Sequence, residues 1–90
     1  GVYPIGSFVQ LRSDRLAMVI DEDPADYSRP KVRTFYSLRL DKRIRSETIA
    51  LAHCFGEDAI VGVADLAGVE LAELRKLREA LFQAACKTDA

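Results

Sequence analysis

A Pro/Gly-marked lead-in, a short strand, a polar break and a second short strand open this chain and limit what it can become. The run is Tyr3-Pro4-Ile5-Gly6-Ser7-Phe8-Val9-Gln10-Leu11, answered by Leu16-Ala17-Met18-Val19-Ile20. Val9 and Leu11 alternate with Gln10 and Arg12, the pattern of a strand with one wet face. Ser13-Asp14 is short enough to reverse the chain as a hairpin. Leu16, Met18 and Ile20 share one face of the second strand, and Ala17 and Val19 occupy the other. Apolar on both faces, this strand is expected at the centre of a sheet. Gly6 allows a tight approach into the first strand.

The segment Asp21 to Pro30 carries two prolines, four acids and no apolar period, and reads as a loop. Lys31-Val32-Arg33-Thr34-Phe35-Tyr36-Ser37 is rich in β-branched and aromatic residues and reads as a third strand. Leu38 to Lys42 turns the chain, Arg43-Ile44-Arg45 gives a short fourth strand, and Thr48-Ile49-Ala50-Leu51 adds another. Ala59 to Ala64 is apolar but short, and periodicity alone leaves strand and helix open there, with Gly62 against helix. Leu71, Leu74, Leu77 and Leu81 fall at spacings of three and four, with Glu70 and Glu73 early and Arg75, Lys76 and Arg78 later, as the helix dipole favours.

The expected fold is mainly β with α: a small SH3-like or partly open antiparallel barrel of four to six short strands followed by an amphipathic helix. The β-module covers about 3–64 and the helix about 67–87, as one small domain excised from a longer protein. The expected core is Val9, Leu11, Leu16, Met18, Ile20, Val32, Phe35 or Tyr36, Ile44, Ile49, Ile60, Leu71, Leu74 and Leu77. Ninety residues support one core, not two.

With this organisation in place, residues 3–69 resemble the small C-terminal region of HD-GYP proteins, bacterial signalling phosphodiesterases that hydrolyse cyclic di-GMP. The Tyr3-Pro4-Ile5-Gly6-Ser7-Phe8-Val9-Gln10-Leu11 run carries most of it. Asp23-Pro24, Arg29-Pro30-Lys31-Val32, Ile49-Ala50-Leu51 and Asp65-Leu66-Ala67-Gly68-Val69 follow in the family's order. Two features depart from the family: Ser13-Asp14-Arg15 stands where its hairpin turn has a glycine, and the helix after Gly68 is longer. The HD and GYP motifs and the metal-binding histidines have no counterpart; the sole histidine, His53, precedes Cys54 rather than an aspartate. The resemblance implies a non-catalytic accessory domain in the cytoplasm, with no cofactor. It would pack on the parent hydrolase domain in cis or mediate a homodimer through the helix.

Charge adds a second reading. Residues 29–45 hold seven cations against one acid in a chain of net charge −1. Arg33, Arg39, Arg43 and Arg45, interleaved with Phe35 and Tyr36, could meet nucleic acid or a nucleotide, although the whole chain has no general attraction for a polyanion. The alternatives are a solvated, self-paired surface and a protein-binding surface. On the helix, Leu74, Leu81 and Phe82 belong to a stripe that closes the sheet or meets a partner. No apolar run is long enough to span a membrane. Cys54 and Cys86 are expected as free thiols. Arg12-Ser13-Asp14-Arg15 has the wrong spacing for a PilZ-type cyclic di-GMP site. The acids at 21, 22, 23 and 26 lack the glycine and glutamate of an EF-hand and read as a solvated loop. His53 beside Cys54 or Ser46 forms no recognised nucleophile motif and reads as a surface or half-buried residue.

Overall fold

The computed structural model describes residues 3–54, 56–67 and 69–88, with side chains of the helix followed to 86. The described residues form six strands: β1 Phe8–Leu11, β2 Arg15–Asp21, β3 Lys31–Ser37, β4 Lys42–Arg43, β5 Thr48–Ala50 and β6 Ile60–Val63. A 3-10 turn, Leu51–His53, follows β5, and helix α1, Leu71–Thr88, is the last element among the described residues. All pairings are antiparallel. The order is β4-β3-β2-β1-β6, with β5 also on β3. The fold is thus a partly open barrel plus a helix, as its sequence implies, and β2 is central. The ambiguous run at 59–64 is strand.

The hairpin between β1 and β2 turns on Asp14, whose φ of 61° lies in the left-handed region, and its N–H donates to Leu11 O at 3.0 Å. Aspartate tolerates that conformation better than most side chains, which is how the turn does without glycine. Between Tyr36 and Thr34 the β2–β3 register shifts, so that Leu16 faces Tyr36 and Ala17 faces Thr34. Phe35 is the extra residue of a bulge. Consecutive residues of an ideal strand point to opposite faces; here the bulge brings Phe35 and Tyr36 to the same apolar cluster.

Each face of the sheet carries its own core. On the concave side Val9, Leu11, Ala17, Val19, Val32 and Leu51 pack together, joined by Tyr3, Ile49, Cys54 and Ile60. On the convex side Phe8, Leu16, Met18, Phe35, Ala64 and Leu81 form a second cluster, flanked by Ile20, Tyr36, Leu66, Leu74, Leu77 and Phe82. The rings of Phe8 and Phe35 meet edge to face at 5.7 Å. Helix α1 covers this convex side.

Several expected core residues differ in their placement. Leu71 is 65% exposed rather than buried, because the chain reaches the sheet only in the later turns of α1. Ile20, Ile44, Ile49, Ile60, Leu74 and Leu77 are half-buried. Leu51 and Pro30 are buried fully instead. The helix begins at Leu71, not near 67: Asp65 Oδ1 accepts the Ala67 N–H at 3.2 Å and Leu66 O accepts the Val69 N–H at 3.0 Å, which turns the chain before α1.

Candidate functional site

Helix α1 is seated unevenly. Leu81 and Ala85 are 2% and 7% exposed, Leu74 and Leu77 only half-buried, and Val69 and Leu71 largely in water. Its first turns stand off the sheet and leave a groove of about 620 Å³. Leu16, Phe35 and Tyr36 lie on the sheet side, and Val69, Leu74, Leu77 and Ala80 on the helix side. Leu38 and Leu66 extend the apolar lining, and Asp41, Arg43, Asp65, Glu73 and Lys76 supply its charges. Tyr36 Oη donates to Asp41 Oδ1 at 2.6 Å. That hydrogen bond to a carboxylate, ahead of burial and the nearby charge, raises the Tyr36 pKa.

The four arginines of the basic region do not converge. Arg33 is 9% exposed; its Nη1 donates to Thr48 Oγ1 at 2.8 Å, and its Nε is enclosed without an acceptor. Arg39 is at the exposed end of the β3–β4 turn, 3.8 Å from Asp14. Arg43 donates through Nε to Phe35 O at 3.2 Å and lines the groove. Arg45 is exposed on the segment between β4 and β5. On the helix, Leu81 lies within the convex core, with Leu74 and Phe82 packed against it. The exposed apolar side chains nearby are Leu38, Val69 and Leu71.

Polar groups that sequence patterning leaves unmarked do converge at the end of the barrel where the β1–β2 turn meets the start of β6. Asp58, 5% exposed, accepts from Ser13 Oγ at 2.6 Å, Ser13 N at 3.2 Å, Ala59 N at 2.9 Å and Arg15 Nη2 at 3.0 Å. Burial pushes the Asp58 pKa up, but these four donors outweigh it and hold the carboxyl below its ordinary value. Burial lowers the Arg15 pKa less than its bonds to Glu47 and Asp58 raise it. Arg15 Nη1 reaches Glu47 Oε1 at 2.5 Å, so a single guanidinium ties the chain before β5 to the chain before β6. Arg12 Nη2 donates to Gly56 O nearby. Nothing in a lone Ser-Asp-Arg or Asp-Ala step announces the pairings across the cluster, because they join residues more than thirty apart.

The acidic loop is not uniformly solvated. Asp23 is 3% exposed and caps its own turn by accepting the Ala25 N–H at 3.0 Å. Its Oδ2 accepts no well-directed hydrogen bond, yet lies 3.0 Å from Nε2 of the exposed His53. Asp26 accepts from Ser28 and Arg29, which lowers its pKa to about 2. Cys54 is half-buried and Cys86 exposed, both as thiols. Among the described residues no three His, Cys, Asp or Glu side chains gather as a metal would require. No described helix is long and apolar enough to cross a membrane.

No family model and no solved structure matches the chain. A cyclic di-GMP phosphodiesterase of Pseudomonas aeruginosa is 34% identical over 62 residues, which is 69% of this chain and 15% of that protein. The groove, the Asp58 cluster and the two-sided core therefore belong to a chain related in sequence to a short portion of a cyclic di-GMP phosphodiesterase.

Proposed function

We propose that this chain is a non-catalytic accessory domain of an HD-GYP-like signalling phosphohydrolase, one that packs on the hydrolase portion or mediates its dimerisation. The single observation that carries the reading is the 34% identity to a cyclic di-GMP phosphodiesterase over 62 residues. The arrangement of polar groups supports it. Asp58, Arg15 and Ser13 are engaged with one another, and Asp23 and Asp26 hold turns. A groove with apolar walls, by contrast, is open to a protein surface.

The test is direct. The purified 90-residue chain, incubated with cyclic di-GMP and manganese, is expected to show no hydrolysis above a protein-free blank; turnover that follows the protein through purification would overturn the reading. The nucleic-acid reading now rests on Arg39, Arg43 and Arg45, since Arg33 is buried. It predicts salt-dependent binding of a labelled oligonucleotide that disappears on Arg43→Glu with Arg45→Glu. The accessory-domain reading predicts no such binding.

A further inference from the structure

We propose that the groove beside α1 is the seat for an amphipathic helix of the hydrolase portion of the same polypeptide. This rests on the reading above and names the surface through which the domain would dock. The groove is built along one side of the helix. Glu73, Lys76, Leu77 and Ala80 lie along that side of α1, with Val69 just before its first turn, and the helical stretch from 73 to 80 spans roughly 10 Å, about two turns. The opposite wall is Leu16, Phe35, Tyr36 and Leu38. Such a trough accepts a second helix through anchors one turn apart.

The charges select among occupants. Asp41 and Arg43 come from the sheet side, Glu73 and Lys76 from the helix, and Asp65 from the turn before it. Three acids and two bases repel a polyanion and offer an anionic membrane no net attraction. They complement an apolar stripe flanked by charges of both signs with a slight basic excess, the surface of an ordinary amphipathic helix. The aligned part of this chain covers only 15% of the related phosphodiesterase, so most of a protein of that length lies outside this domain. The lips of the groove are already apolar in water, with Leu38 40% and Val69 44% exposed. Covering them is favourable without disturbing either core.

The experiment uses the full-length protein that contains this chain, carrying a photoreactive benzoylphenylalanine at position 69 or, as a control, at the exposed Gln83, which is not part of the groove. After irradiation, mass spectrometry is expected to place the cross-link from 69 on a helix of the hydrolase portion of the same chain, severalfold above that from 83. Val69→Glu in place of the photoreactive residue serves a second readout: it should raise proteolysis between the two portions while leaving this domain's own unfolding midpoint unchanged. A cross-link from 69 to a second copy, shown with mixed isotopic labels, or none above the control, would overturn the proposal. A full-length protein that lacks cyclic di-GMP hydrolysis defeats the functional reading instead, and the cross-link map still reports on the groove.

Discussion

Asp58 is a buried carboxylate with four donors, one of them a cation from an element far away in sequence. Removing one partner of such a group leaves the others without theirs. Asp58→Ala is therefore expected to lower stability by about 3 kcal/mol, read as a fall in the urea midpoint at constant slope. Its titration has a definite sign. The folded-state pKa lies below the ordinary value, so between the two the unfolded chain binds more protons and stability rises with pH. The contribution is complete only above about pH 5, where the unfolded carboxyl is almost fully ionised, and is lost as pH falls through the folded value. Asp58→Asn should accordingly flatten the acid limb of a stability–pH curve, leaving the part that belongs to Asp26. An unchanged slope below pH 4 would remove Asp58 from this role.

Among the elements, α1 shows where sequence patterning succeeds and where it stops. The leucine period marks the helix and its apolar stripe, but treats Leu71 and Leu81 as equals. The structure separates them: 65% exposed against 2%. How far along its length a helix meets a sheet depends on the turn that launches it, here the Asp65–Ala67 hydrogen bond, and not on the period. Leu81→Ala is expected to cost about 3 kcal/mol and Leu71→Ala less than about 0.5 kcal/mol, compared by urea unfolding of the two variants. In the sheet, alternation sufficed to place β1, β2 and β3, since each has a long enough apolar run. It failed to choose between Phe35 and Tyr36 because a bulge, which depends on the partner strand, turns both to one face. The groove was only half legible. Its helix side lies in the leucine stripe, while its sheet side requires knowing that residues 16, 36 and 43 are neighbours. The Asp58 cluster was invisible for the same reason.

Taken whole, the molecule has a Cα radius of gyration of 12.3 Å, about what 90 residues give when folded as one unit. Two cores on opposite faces share strands β1, β2 and β3; within the central β2, Met18 belongs to the convex cluster and Val19 to the concave one. Met18→Ala and Val19→Ala should each shift one cooperative transition, with circular dichroism and tyrosine fluorescence moving together; two separable transitions would show that the cores unfold independently. The start and end of the fold are also fastened directly. Gly6, at a φ of 94°, offers its carbonyl to Arg78 Nε at 3.3 Å. The same guanidinium lies over the Phe8 ring, 5.4 Å from its centroid. This clasp joins residues 72 positions apart, and its second half is among the last parts of the domain to be synthesised. Until α1 has left the ribosome, Phe8, Leu16, Met18 and Phe35 lack the cover of Leu81, so the earlier strands must wait in water for a helix translated after them. Birth order thus makes the convex face the period of greatest exposure to chaperones, and a pause in translation before residue 81 the event most apt to expose it.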